Sequence, residues 1–97
     1  MKREISQEHI ERYLETTREA LDKLKILAPD PSYLFDIAND FLNMAESYFK
    51  DALHFYENDD YVNALSCVNY AHGWLDAGAR LGLFDVQKDY RLFTLQK

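Results

Sequence analysis

The sequence predicts an all-α protein: an antiparallel, up-down-up three-helix bundle with a C-terminal tail packed on it. Two observations carry that expectation. Apolar residues recur at three- and four-residue steps through three long segments. Breakers are few, and Pro29, Pro31 and Gly82 fall at the edges of those segments, leaving short connections that make neighbouring helices antiparallel.

The first helix is expected over about residues 6–27. Ile10, Tyr13, Leu14, Thr17, Leu21, Leu24 and Ile26–Leu27 lie on one face of it. Ser6 can cap its start, with Ile5 and Ile10 placed as a hydrophobic staple. "APDPS" ends it, and Asp30 followed by Pro31 reads as a cap and first residue of the second helix, about 31–57. There Leu34, Ala38, Phe41, Ala45, Tyr48, Ala52 and Phe55 alternate by four and three. Phe35, Leu42, Phe49 and Tyr56 flank them every seven residues. Alanines at 38, 45 and 52 between bulky neighbours let another helix come close.

"ENDD" supplies the next turn, with Asn58 or Asp59 in the left-handed conformation and Asp60 as the following cap. The third helix is expected over about residues 60–81, with Tyr61, Ala64, Leu65, Val68, Ala71, His72, Leu75 and Ala79 facing inward. Gly82 with Leu83 reads as a helix stop. Residues 83–97 form the tail, either a short helix or an extended strap laying Phe84, Tyr90, Leu92, Phe93 and Leu95 on the bundle.

Ninety-seven residues make a single domain, 1–97, with a modest core. Aromatic residues are 14% of the chain, which suits a small core or a contact with a partner. The net charge of −6 is uneven: residues 30–60 hold eight acids and only Lys50, whereas residues 61–97 hold three acids and four bases. An acidic middle argues against nucleic acid, whose phosphates need clustered lysine and arginine. "MKREISQEHI" has no apolar signal-peptide core and no run is long and apolar enough to cross a membrane. One cysteine, Cys67, rules out an internal disulfide. Together these lead to the expectation of a cytoplasmic protein.

Residues 48 to 84, "YFKDALHFYENDDYVNALSCVNYAHGWLDAGARLGLF", resemble the core of a family of short archaeal proteins catalogued as domain of unknown function 357. An aromatic-rich helix with "DALHF", a "GDYVxAL" turn, "YAxGxLDA" and a closing "LGLF" carry the resemblance, with Asp59 standing where the family has glycine. The resemblance implies an all-helical bundle of archaeal origin and no established activity.

Candidate chemistry centres on "NYAHGWLDAGARLGLF", residues 69 to 84. His72 and Asp76 stand one helical turn apart, so an aspartate could orient an imidazole as a base or ligand. His72 nevertheless sits on the apolar stripe, facing the second helix near Ala45 to Phe49, where a core hydrogen bond explains it better. His54 lies between Asp51 and Glu57 but lacks a metal-site spacing. His9 reads as a surface residue. Cys67 is mid-helix with no base in sequence reach, so it reads as a small hydrophobe. Glycines 73, 78 and 82 match no nucleotide-binding loop, and a serine-hydrolase elbow is absent, so no catalytic residue, cofactor or metal is assigned.

Gly73 costs about 1 kcal/mol in a helix interior relative to alanine. A close approach by another chain or by the tail would account for it. Tyr70, His72, Gly73, Trp74 and Asp76 thus form the candidate contact or ligand surface. The leading expectation is a non-enzymatic module that self-associates as a homodimer or docks on a larger protein. One alternative is an RNA- or nucleotide-associated domain of the HEPN type, partnering a nucleotidyltransferase, since Arg3 to His9 formally fits its Arg-x4-6-His motif. Another is a small-molecule or metal-binding bundle using His72, Asp76 and Glu46.

Overall fold

The computed structural model describes residues 4–86 and 92. The chain forms α1 (Gln7–Lys23), β1 (Lys25–Ile26), α2 (Tyr33–Glu57), α3 (Tyr61–Arg80) and β2 (Phe84–Asp85). The three helices make an all-α bundle, 44 × 27 × 19 Å. The long axis is set by α2, whose 25 residues at about 1.5 Å each span most of it.

Helix α1 starts as its sequence indicates. Ser6 is extended, and its hydroxyl accepts from the His9 backbone N–H at 3.1 Å. Ile5 and Ile10 pack in one cluster, completing the staple. The helix stops earlier than the expected residue 27. Leu24 turns extended, and Lys25–Ile26 pair antiparallel with Phe84–Asp85, Lys25 opposite Asp85 and Ile26 opposite Phe84. The Leu27 amide then donates to the Leu83 carbonyl at 3.0 Å. This small ladder takes up backbone groups of both segments while Leu24, Leu83, Phe84 and Val86 are buried. Ile26–Leu27 therefore do not extend the helical face, and Leu27 is exposed.

The start of α2 also differs. Ser32, not Asp30, is the cap, its hydroxyl accepting from the Phe35 N–H at 3.1 Å, so Pro31 lies before the helix. Both residues have capping side chains, and the serine's position sets the first turn. Leu34, expected inward, is 55% exposed at this end. At the other end Asp59 takes the left-handed conformation, φ 60°, and Asp60 caps α3 through the Asn63 N–H at 3.2 Å.

Helices α2 and α3 form the tightest pair, and α1 lies across them, mainly on α3. Ala38, Ala45 and Ala52 on α2 and Ala64, Ala71 and Gly78 on α3 are all buried. Each set repeats every seven residues, and the pairs 52 and 64, 45 and 71, 38 and 78 lie 6, 13 and 20 residues from Asn58. Two stripes of small residues therefore meet in register along the antiparallel hairpin. Large rings flank the seam: Phe41 meets Trp74 edge-on at 5.0 Å and Tyr48 meets Tyr70 at 4.4 Å. At the turn, Tyr56 donates to the Glu11 carboxylate, tying α2 to α1. That bond, with a second from Gln7, holds the Glu11 carboxyl below its usual range, and the same bond to Glu11 pushes the Tyr56 phenol up against the opposing effect of Gln7.

The C-terminus of α3 closes with Gly82 in the left-handed region, φ 77°. The Leu83 N–H reaches Gly78 O at 2.9 Å and the Gly82 N–H reaches Ala79 O at 3.1 Å, the two bonds of a Schellman motif. The turn lays the Phe84 ring directly over Gly78, where a Cβ would collide with ring atoms. Among the described residues close approach thus falls at Gly78, whereas a Cβ on Gly73 would meet none of them within 4 Å. The two helical glycines should consequently respond in opposite directions to alanine. Measured by urea unfolding at high dilution, Gly78→Ala is expected to lose about 1–3 kcal/mol by overpacking. Gly73→Ala is expected to gain up to about 1 kcal/mol from helix propensity.

Candidate functional site

The bundle's polar centre is built where α1, α3 and residue 92 meet. Thr17 lies on the inner face of α1 and is only 2% exposed. A hydroxyl so buried needs a partner, and it has one in His72 Nδ1 at 3.0 Å. The other ring nitrogen, Nε2, lies 2.5 Å from the Leu92 backbone carbonyl. A carbonyl oxygen only accepts, so Nε2 carries the hydrogen. In the neutral ring Nδ1 then accepts from the Thr17 hydroxyl. His72 therefore joins α1, α3 and the tail residue in one chain of hydrogen bonds. It does not face the Ala45 to Phe49 segment of α2 as the helical pattern suggested. That side of α3 belongs to Ala71, and one residue further on the helix the side chain turns toward α1.

Asp76 follows one turn after His72, with Oδ1 3.7 Å from Nε2 and its side chain 26% exposed. Asn69, His72, Gly73 and Asp76 of α3, with Tyr13, Thr16 and Thr17 of α1, line an interhelical groove of about 350 Å³. Across Gly73 a shallower groove of about 260 Å³ runs along Asn69, Tyr70, Gly73, Trp74 and Ala77. The five residues singled out in the sequence are thus distributed over two adjoining grooves. His72 and Asp76 lie in one, Tyr70 and Trp74 in the other, with Gly73 and Asn69 shared.

Among the described residues neither Thr17 nor Cys67 is placed as an activated nucleophile. The Thr17 hydroxyl is out of solvent reach and engaged with His72, so that pair cannot serve as nucleophile and base. The Cys67 thiol is pushed up by burial, then by the charges of Asp51 and Asp60, which keeps it protonated at neutral pH. Among the described residues no three His, Cys, Asp or Glu side chains gather as a metal site. Glu46 accordingly does not join His72 and Asp76, nor do Asp51 and Glu57 complete a site with His54. The His9 ring packs beside Tyr13 at 4.9 Å with Arg12 at 3.5 Å from Nδ1, and Arg3 of the formal HEPN pattern lies outside the described residues.

Two contributors to this region escaped the sequence reading, the Thr17 hydroxyl and the Leu92 carbonyl. The first had a signal: one polar residue on each of two inward stripes, Thr17 and His72, must find partners in the core, and each is the other's. The second is a backbone atom far along the chain, and no pattern marks it.

Fold and site together define a small all-helical bundle with a Thr17–His72 hydrogen bond between α1 and α3 and grooves along α3. The chain belongs to the family described as "Protein of unknown function (DUF357)", which matches residues 12–84. That match covers α2, α3 and all but the first turn and a half of α1. No curated protein and no solved structure matches the chain. No helix is long and apolar enough to cross a membrane among the described residues.

The Thr17–His72 bond carries a direct consequence for stability. Thr17→Val keeps the shape but strips Nδ1 of its partner, and should lower unfolding free energy by about 1–3 kcal/mol, while Thr17→Ser should retain most of it. Urea denaturation of the three proteins side by side measures the difference.

Proposed function

We propose that this protein is a non-enzymatic interaction module that self-associates through the outer face of α3. The observation that carries the reading is Gly73. It sits mid-helix, exposed, where alanine would be more favourable by about 1 kcal/mol and would meet none of the described residues within 4 Å. Among the described residues no contact accounts for a missing side chain there. A helix crossing from outside would, because a bare backbone allows the closest approach.

The surroundings suit such a crossing. Ala77 follows Gly73 by one turn, and the exposed Tyr70 ring and the Trp74 ring flank the notch. Tyrosine and tryptophan are enriched at the energetic centre of protein interfaces. Charge favours a second copy as the occupant. Residues 30–60 carry eight acids against Lys50, so two copies repel through α2. Helix α3 carries only Asp76 and Arg80 as fully charged residues and is therefore the face on which two copies meet with least repulsion. A two-fold axis near Gly73 would set Tyr70 and Trp74 of each copy against the other.

Sedimentation equilibrium over micromolar to near-millimolar concentration tests this. The expected result is a dimer whose dissociation constant rises at least ten-fold in Tyr70→Glu and in Gly73→Leu, with Arg18→Glu unaffected. A strict monomer throughout, or a dimer indifferent to both α3 substitutions, overturns the reading.

A further inference from the structure

Gly73 is one point on a longer stripe. Val62 (64% exposed), Ser66, Tyr70 (52%), Gly73, Ala77 and Leu81 (67%) are all exposed. They recur at steps of four, four, three, four and four, which keeps them on one side of α3 from its first turn to its end. That order of steps is the same read in either direction. About the midpoint between Ala71 and His72, Val62 mirrors Leu81, Ser66 mirrors Ala77 and Tyr70 mirrors Gly73. We propose that two copies of the chain pair antiparallel along this stripe, the Tyr70 ring of each seated on the bare Gly73 backbone of the other.

Size and charge select the same orientation. A two-fold axis through the midpoint brings mirrored positions of the two copies to the same height. Branched apolar side chains then meet at both ends, Ser66 meets Ala77, and the tyrosine ring faces the residue with no side chain. A parallel pair would instead set ring against ring at position 70 and leave facing voids at 73, which close packing does not tolerate. A crossing angle of about 20° keeps both ends of the stripe in contact. The stripe itself carries no ionised side chain. Arg80 borders its C-terminal end, whereas Glu57, Asp59 and the capping Asp60 stand at the turn before its N-terminal end. Antiparallel pairing carries each Arg80 toward the acidic turn of the other copy, and parallel pairing would stack acid on acid. The helix dipoles also oppose favourably only in the antiparallel pair.

This orientation presupposes the self-association through α3 proposed above, and cysteine cross-linking tests it separately. Ser66→Cys, Ala77→Cys and the double variant are made in a Cys67→Ala chain and oxidised with diamide at a concentration where wild type is dimeric. Across the antiparallel pair position 66 lies level with position 77 of the other copy. Equivalent positions are eleven residues apart along the axis, about 16 Å, well beyond the roughly 7 Å Cα separation that a disulfide bridges. The double variant is therefore expected to give a covalent dimer, and either single variant at most a tenth as much. Sedimentation of Arg80→Glu should show several-fold weaker association at low salt, a difference that fades at high salt. Comparable cross-linking by either single variant, none by the double variant, or a dimer indifferent to Arg80→Glu at low salt overturns the orientation while leaving the dimer standing. A wild-type chain that sediments as a monomer throughout overturns both.

Discussion

The seam of small side chains between α2 and α3 is the constraint on which the rest of this structure depends. With Ala38, Ala45 and Ala52 facing Ala64, Ala71 and Gly78 in register, the two helices approach as closely as their backbones allow. Large rings cannot enter such a seam, so they line its flank, Phe41 on Trp74 and Tyr48 on Tyr70. The opposite flank, with Val68 and Leu75, is left to receive α1. The glycine that ends the small-residue stripe also seats Phe84, so one residue serves both the helix pair and the chain that follows it.

The grooves along α3 follow from this geometry. Because Ala71 takes the seam, its neighbour His72 turns toward α1, where Thr17 and the Leu92 carbonyl engage both ring nitrogens. A histidine fixed in that way is a tie between elements. It leaves Asp76 at the groove edge and Gly73 as a bare point between two grooves. The same placement that engages both His72 ring nitrogens leaves Gly73 exposed on the outer side of α3.

Much of this was legible in the chain. The Ala38, Ala45 and Ala52 heptad identified α2 as the closely packed helix, and Asp59–Asp60 identified the turn, because left-handed conformation and capping depend on local chemistry. The end of α1 was not legible. Ile26 and Leu27 keep the helical period, and only pairing with Phe84–Asp85, some sixty residues away, draws them into a ladder. Ser32 against Asp30 as the cap of α2 was a choice between two competent side chains. The orientation of His72 was lost for a similar reason: a stripe drawn on one helix does not say which of two neighbours each residue meets. Gly73 was read as a place of close approach by another chain or by the tail; among the described residues the close approach falls at Gly78 beneath Phe84.

The central claim is that α2 and α3 pack against each other by virtue of alanine at the seam. Urea unfolding at high dilution, where the monomer prevails, of Ala45→Leu, with Ala77→Leu on the exposed face of α3 as control, tests it most directly. Forcing three extra carbons into the fully buried position 45 should reduce stability by about 1–3 kcal/mol or more, while the control should stay within about 0.5 kcal/mol of wild type. An Ala45→Leu protein as stable as its parent would mean that the helices are not in close contact there, and the account of the seam and of everything seated on it would fail.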